Sequence, residues 1–243
     1  MELARLANAP SLASGAADIM FVLDGSSSVN AQEFSEALTF ISQVVDAFDI
    51  AADFTRVGVI QFTHLFVEEF PLNAYSDKAS LQQAISSIDQ RPGGTLIAPA
   101  INYLIDTSFT VAKGARPLSE GIPRIAIFIT NGPAFDHPPD TTIDPAISAL
   151  QASTIIPFSI GVGDAAYADQ LLAVAGDPNR VYHVGSYSVI DNIRVPLLWG
   201  VREIIELPSS PRPELPLTSR PPTMAPASTQ RRSTKKLSTL RAT

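Results

Sequence analysis

The sequence predicts an α/β fold: a doubly wound, mostly parallel six-stranded sheet with one antiparallel edge strand and helices on both faces. Between residues 18 and 206, short apolar runs alternate with longer stretches whose apolar residues recur at helical spacing. This alternation is typical of βαβ units, in which a helix crosses back over the sheet between two parallel strands. The second and third apolar runs are joined by a link too short to hold a helix, which predicts an antiparallel pair.

Six apolar runs predict the strands. They are, in chain order, Ile19–Leu23, Val57–Phe62, Leu65–Phe70, Ile125–Ile129, Ile155–Ile160 and Val181–Val184. The fourth run is the most apolar of the six, as expected for a strand that is buried on both faces of a parallel sheet. The third run follows the second so closely that it is expected at the edge of the sheet.

The stretches between these runs predict the helices. They are Ala31–Phe48, Asp77–Ile88, Leu96–Ile105, Pro145–Gln151, Ala168–Val174 and Ile190–Ile205. In the first, Phe34, Leu38 and Ile41 recur at the spacing that places side chains on one helical face. Pro145 suits the first turn of its helix, where the missing amide donor costs nothing. Pro196 is expected early in the last helix or at a kink.

Charge is distributed unevenly along the chain. Residues 207–243 contain seven basic residues and one acidic residue, so residues 1–206 hold 10 basic and 23 acidic residues, a net charge of −13. An acidic body argues against binding to nucleic acid and suits a site for cations. The chain has no cysteine, which excludes disulfides, cysteine-based zinc sites and a cysteine nucleophile. No apolar run reaches the ~18 residues of a membrane helix, so membrane insertion is not expected.

Composition divides the chain into three expected regions. Residues 1–16 form an N-terminal extension, expected to be flexible, without the basic start and long apolar stretch of a signal peptide. Residues 17–206 form the folded domain. Residues 207–243 are rich in Pro, Ser and Thr and basic, and they have too few large apolar residues to offset chain entropy. This tail is expected to be disordered, as a solvated linker or an O-glycosylated stalk.

Three predicted loops carry oxygen-bearing side chains toward one edge of the sheet. The loops are Asp24-Gly25-Ser26-Ser27-Ser28 after the first strand, Gly93-Gly94-Thr95 before a helix, and Thr130-Asn131-Gly132 after the fourth strand. In open α/β sheets, ligands bind beyond the carboxyl ends of the strands, where the first and third loops lie. Carboxylate and hydroxyl oxygens are ligands that Mg²⁺ prefers. The first loop alone is ambiguous, because its serines could equally cap the first helix.

The three loops together resemble the metal-ion-dependent adhesion site (MIDAS) of von Willebrand factor A-type (vWA) domains. That family has Asp-x-Ser-x-Ser after strand one, a threonine in the loop after the second main helix, and the aspartate of Thr-Asp-Gly after strand four. Asp24, Ser26, Ser28 and Thr95 match this pattern. The order of strands, including the early antiparallel edge strand, matches too. Two family phrases are also present, Arg56-Val-Gly-Val-Ile-Gln-Phe and Ile160-Gly-Val-Gly. The resemblance covers roughly residues 17–206.

One position departs from the family pattern. Asn131 stands where the family usually has aspartate, so Asp24 is the only carboxylate of the implied site. An asparagine keeps an oxygen that can bind a metal-bound water but removes one negative charge. The implied site is therefore Asp24, Ser26, Ser28, Thr95 and Asn131, holding Mg²⁺ or Mn²⁺ more weakly than relatives with aspartate. The opposite interpretation is a degenerate, relict metal site in a domain that binds partners through other surfaces.

The resemblance implies a cell adhesion or extracellular matrix module, similar to collagen-associated and matrilin-like vWA domains. An acidic residue of a partner protein, such as collagen or another matrix protein, would complete the coordination of the metal. Gly94 and His137 are the expected partner-binding residues, and the expected location is extracellular, as a secreted protein. The alternative is an intracellular vWA scaffold for complex assembly, which the missing signal peptide and cysteines favour.

An enzymatic function is not expected. The implied site has a single firm carboxylate and no evident general base, whereas metal-assisted hydrolysis needs an activated water and a positioned base. The sequence has neither the Gly-x-Ser-x-Gly motif of a nucleophile elbow nor the Gly-x-x-x-x-Gly-Lys motif of a phosphate loop.

Overall fold

The computed structural model describes residues 15–132, 143–163 and 168–206. These residues lie in Met1–Pro208, the first of the two units into which the chain divides. Nearly all of the expected N-terminal extension, the expected partner-binding residue His137 and the tail from residue 207 onward lie outside the described residues. Within the described ranges, no helix is both long and apolar enough to span a membrane.

One sheet organises the described residues. Its strands are β1 (Asp18–Asp24), β2 (Arg56–Phe62), β3 (Phe66–Phe70), β4 (Arg124–Thr130), β5 (Ile155–Val162) and β6 (Val181–Val184). They lie in the order β3-β2-β1-β4-β5-β6. The β2–β3 pair is antiparallel, and the other four pairs are parallel. The predicted mostly parallel sheet with an antiparallel edge strand is confirmed.

Helices cover both faces of this sheet. Those described are α1 (Ala31–Val45), α2 (Lys78–Ser86), α3 (Ile97–Tyr103), α4 (Ile143–Ala152), α5 (Ala168–Ala175) and α6 (Arg194–Glu206). Successive side chains of β1 point to opposite faces. Phe21 and its alternate neighbours therefore join a core with residues of α1 and α6, whereas Met20 and Val22 join a second core with residues of α3 and α4.

The first and last helices depart most from their predicted bounds, and the others differ by one or two residues at an end. The first was expected to continue to Phe48 but ends at Val45, although Phe48 is still buried. The last was expected from Ile190, but Tyr187–Ile193 forms a 3-10 helix and α6 follows it. Pro196 is the third residue of α6, where its missing amide donor breaks no helical hydrogen bond.

The direction of strand addition reverses between β1 and β4. The chain places β2 on one side of β1 and then returns to place β4 on the other side. Such a switch point opens a crevice beyond the carboxyl ends of the two strands, where open α/β sheets bind ligands. Asp24 is the last residue of β1 and Thr130 is the last residue of β4. The sheet therefore delivers the first and third predicted loops to this crevice.

Candidate metal centre

The first loop turns tightly between β1 and α1. The amide N–H of Ser26 donates to Oδ1 of Asp24 at 2.9 Å. Asn30 caps α1: its side chain accepts from the N–H of Glu33, and the Glu33 carboxylate accepts from the N–H of Asn30. Because this capping box satisfies the start of the helix, the hydroxyls of Ser26 and Ser28 are not its cap. The alternative interpretation, in which the two serines simply cap the first helix, is therefore wrong.

Asp24 is a fully buried carboxylate at the end of β1. Its Oδ1 accepts the N–H of Ser26, and its Oδ2 accepts the hydroxyl of Thr130 at 2.7 Å. Burial raises the pKa of the Asp24 carboxyl, and the hydrogen bonds from Ser26 and Thr130 oppose that rise. Within the described ranges, Asp24 forms no ion pair with a cationic side chain. A buried negative charge without a cation is costly, and a bound metal ion would remove that cost.

A chain of hydroxyl and amide groups joins the first loop to the third. The Oγ atoms of Ser26 and Ser28 lie 2.9 Å apart, and the Ser28 hydroxyl donates to Oδ1 of Asn131 at 2.9 Å. The Nδ2 group of Asn131 donates in turn to the main-chain carbonyl of Ser28 at 3.0 Å. Since the proton of Ser28 goes to Asn131, Ser26 is the donor between the two serines. Both serine oxygens keep lone pairs for a cation.

The second loop lies against the first. The N–H of Ser27 donates to the carbonyl of Gly93 at 2.9 Å, and the N–H of Leu96 donates to the carbonyl of Thr63 at 2.7 Å. Thr95 is buried, and it lines with Thr130 a small, mostly apolar cavity of about 20 Å³. Thr130 is bonded to Asp24, so the three loops predicted to share a site do meet above one end of the sheet.

The surface beside these loops includes one of the two residues that were expected to bind a partner. Gly94 is exposed, next to the side chain of His64. His137, the other expected partner-binding residue, lies outside the described residues. Leu65 was predicted as the first residue of the third strand, but it lies on the turn before β3 and is 65% exposed. A leucine that continues an apolar run gives no sequence signal of exposure.

Two glutamines were also overlooked. Gln61 is buried in β2, and Gln90 lies in the segment that leads to the second loop. Their side-chain amides bind the main chain around the site. Gln61 could have been noticed, because it is a long polar residue in an otherwise apolar strand. Gln90 carries no comparable signal.

The chemistry of the donor set fits a hard divalent cation. The loops offer one carboxylate, the hydroxyls of two serines and one threonine, and one side-chain amide, all of them oxygen donors. The described residues hold no group of three or more His, Cys, Asp or Glu side chains placed to bind a metal. Oxygen donors without nitrogen or sulfur suit Mg²⁺ and Mn²⁺. The structural observation that agrees with such an ion is the buried carboxylate of Asp24, which has no cationic partner in the part of the chain that the structure describes.

Comparison with known proteins places these features in a family. A family model described as von Willebrand factor type A domain matches residues 18–195. Matrilin-3 of Homo sapiens is 36% identical over 178 residues, which cover 72% of this chain and 35% of that protein. Matrilin-1 of Bos taurus is 37% identical over 178 residues, which cover 72% of this chain and 32% of that protein.

A longer relative and two solved structures extend the comparison. The transmembrane cell adhesion receptor mua-3 of Caenorhabditis elegans is 34% identical over 197 residues, covering 81% of this chain and 5% of the receptor. The chain thus spans about a third or less of the length of these three relatives. Proximal thread matrix protein 1 from the mussel byssus aligns with a TM-score of 0.70 and 25% identity, covering 77% of this chain and 47% of that chain. A second structure of that protein, with a zinc-occupied MIDAS motif, aligns with a TM-score of 0.69 and 24% identity, covering 79% and 48%.

Proposed function

The chain belongs to the von Willebrand factor type A domain family, and from that premise we propose that it is a metal-dependent protein-binding module of a matrix or cell-surface protein. The proposed ion is Mg²⁺ or Mn²⁺, and the proposed ligand is an acidic side chain of a partner protein. The observation that carries this proposal is the buried carboxylate of Asp24, which has hydroxyl groups beside it and no cationic partner among the described residues.

Each loop has a proposed role in holding the ion. Asp24, Ser26 and Ser28 would bind it directly, and Thr95 and Asn131 would bind it directly or through water. The bound ion supplies positive charge that attracts a carboxylate. The N–H of Ser26 fixes one oxygen of Asp24, so the carboxylate is oriented before the ion arrives. Because hydroxyls carry no charge, the site with its single carboxylate leaves the ion a net positive charge for the partner's acid.

The proposed partner is collagen or another matrix protein, and the proposed location is extracellular. Its similarity to matrilins, a cell adhesion receptor and a thread matrix protein supports both proposals. The exposed Leu65 and Gly94 beside the second loop offer an apolar and a main-chain contact for a protein surface. Binding is favoured over catalysis, because no second carboxylate joins Asp24 among the described site residues to act as a general base.

A domain that binds partners without metal is the second candidate. It is favoured by the pairing of Asn131 with Ser28, in which the two side chains satisfy each other through two hydrogen bonds. Such a pair needs no ion to complete it. In that case the acidic-ligand mechanism does not apply, and the partner binds another surface.

Titration with Mn²⁺ separates the two candidates. Wild type is expected to bind Mn²⁺ at millimolar concentrations or below, and Asp24→Ala is expected to abolish binding. The matched control is Asp106→Ala, which removes an exposed carboxylate from the segment after α3 and is expected to leave Mn²⁺ binding unchanged. Wild type without measurable binding at millimolar Mn²⁺ or Mg²⁺ supports the relict site instead. Adhesion to immobilised collagen with and without chelator then tests the proposed partner class.

A further inference from the structure

The side chain of Gln90 reaches from the second loop segment to the first loop. Its Nε2 group donates to the main-chain carbonyl of Val29 at 2.7 Å. The carbonyl oxygens of Gly25 and Ser26 lie 3.4 Å from the same nitrogen. The half-buried amide of Gln90 therefore donates most closely to Val29 and lies near two carbonyls of the loop that carries the proposed metal ligands.

The side chain of Gln61 holds the residues on either side of Gln90. Gln61 is 1% exposed, and its Oε1 accepts the N–H of Arg91 at 2.6 Å. Its Nε2 group donates to the carbonyl of Asp89 at 3.0 Å and to a carboxylate oxygen of Glu69 at 3.1 Å. Asp89 and Arg91 are thereby hydrogen-bonded to β2, and the side chain of Gln90 between them points to the first loop.

The first loop also rests on Gln61. A Cβ atom at Gly25 would lie 2.1 Å from Oε1 of Gln61, which is far inside contact distance. The N–H of Gly25 donates to the carbonyl of Phe62 at 3.0 Å, so the loop is held at this close approach. A side chain at residue 25 would therefore displace Gln61 from its hydrogen bonds. Gln61 and Gln90 together therefore bridge the two loops, which are about 65 residues apart in sequence.

We propose that Gln61 and Gln90 are positioning residues of the metal site, which hold the Thr95 loop against the Asp24 loop before the ion binds. This inference rests on the proposed function. Ligands on separate loops must be ordered when an ion binds, and loops that are already joined avoid most of that entropy cost. Residues that orient metal ligands without touching the metal typically change metal affinity by about 10–100-fold when they are replaced.

The first test measures Mn²⁺ affinity in Gln90→Ala. We expect the dissociation constant to rise about tenfold, because the first loop loses its amide donor. The matched control is Gln82→Ala. Gln82 is also half-buried and donates from Nε2 to a main-chain carbonyl, that of Ser42 at 3.2 Å, but it joins α2 to α1. The control is expected to lose thermal stability to a similar extent and to keep wild-type Mn²⁺ affinity. Equal Mn²⁺ affinities in the two variants would overturn the inference.

A double-mutant cycle tests whether Gln90 acts through Thr95. Thr95→Val removes the buried hydroxyl while keeping the shape of the side chain. If the bridge serves to bring Thr95 to the ion, then Gln90→Ala is expected to weaken Mn²⁺ binding far less in the Thr95→Val protein than in wild type. A full additive loss in the double variant would show that Gln90 does not act through Thr95, and would overturn its positioning role.

Hydrogen exchange gives a readout that needs no metal. The N–H of Ser27 donates to the carbonyl of Gly93 across the two loops, so its exchange rate reports whether they stay joined. In metal-free protein, Gln90→Ala is expected to speed exchange at Ser27, and Gln82→Ala is not. Unchanged exchange at Ser27 would overturn the bridge itself. Wild type that binds no Mn²⁺, with faster exchange in Gln90→Ala, would instead overturn the proposed function and leave the bridge as a structural contact.

Discussion

Asp18 and Asp24 stand at the two ends of β1, and both side chains are fully buried. Burial raises the pKa of each carboxyl above its ordinary value. At the amino end, the guanidinium of Arg116 lies 3.4 Å from Oδ1 of Asp18, and the N–H of Arg116 donates to Oδ2 at 2.7 Å. The positive charges of Arg56 and Arg124 also act to lower the pKa of Asp18. The protein thus supplies the counter-charge for this carboxylate from its own side chains.

At the carboxyl end, Asp24 receives hydrogen bonds from Ser26 and Thr130 but no cation within the described ranges. Both aspartates are equally buried on the same strand, so burial alone does not distinguish them. The difference lies in what surrounds each charge. Arginine side chains compensate the charge of Asp18, whereas Asp24 is surrounded by hydroxyls and has the environment of a metal ligand. The comparison predicts that removing the counter-charge of Asp18 destabilises the protein and that removing the charge of Asp24 does not.

The largest effect is expected from Arg116→Met, which removes the counter-charge of Asp18. Asp18 is fully buried, and breaking a buried ion pair by removing one partner typically costs about 3–5 kcal/mol. We expect the free energy of unfolding, measured in urea, to fall by about 3 kcal/mol, the low end of that range, because the positive charges of Arg56 and Arg124 still act on Asp18. Asp106→Asn, at an exposed position, is the control and should have little effect. A loss below about 1 kcal/mol would mean that the ion pair with Arg116 is not what compensates Asp18.

The next largest effect is expected when a second negative charge is added to the proposed metal site at Asn131. Asn131→Asp adds a second carboxylate beside Asp24, and metal affinity rises with the number of charged ligands. We expect the Mn²⁺ dissociation constant to fall about tenfold, which corresponds to about 1.4 kcal/mol. The metal-free variant should unfold more easily, because aspartate cannot donate to the Ser28 carbonyl as Asn131 does. Unchanged Mn²⁺ affinity would place residue 131 outside the site.

The sequence was sufficient for the fold because the fold depends on periodicity. Apolar runs located every strand, and the two-residue link after Phe62 predicted the antiparallel edge. The first and third loops were predicted to meet because parallel strands bring their carboxyl ends to one edge. The cap of α1 was not predicted: the serines were considered for it, and Asn30 forms it. The roles of the loop residues in metal binding stay predictions.

Other features depend on contacts between residues that are far apart in sequence, and no local pattern predicts such contacts. The Gln90 side chain bonds to a carbonyl 61 residues away, and Gln61 bonds to an N–H 30 residues away. Both contacts arise only once the loops have been folded over β2. The second half of the 3-10 helix, Ile190–Ile193, was likewise predicted as the start of the last α-helix, because its apolar residues fit an α-helical spacing as well.

A smaller effect of opposite sign is expected from Asp24→Asn. In chelator, the variant should be more stable than wild type by roughly 1 kcal/mol, a size common for single stabilising substitutions, because it removes a buried charge that no cationic side chain of the described ranges compensates. The Thr130 hydroxyl keeps an acceptor, since the Gly132 carbonyl lies 3.1 Å away. With Mn²⁺ in excess, wild type should gain stability by mass action and the variant should not. If Asp24→Asn destabilised the metal-free protein as strongly as Arg116→Met, the two ends of β1 would not differ as argued.

The smallest effect is the pH dependence of the difference in unfolding free energy between wild type and Asp24→Asn in chelator. Because burial raises the pKa of Asp24 in the folded protein, native wild type binds more protons than unfolded wild type between the unfolded and folded pKa values. Stability therefore falls as pH rises through this window, and the cost is complete above the folded pKa. Lowering the pH in chelator should thus close the gap between wild type and Asp24→Asn. Asp18 titrates in both proteins, so its contribution cancels in the difference. Urea unfolding across a pH series measures the gap, and a gap that stays constant from neutral pH into the acid range would mean that the Asp24 carboxyl carries no such cost.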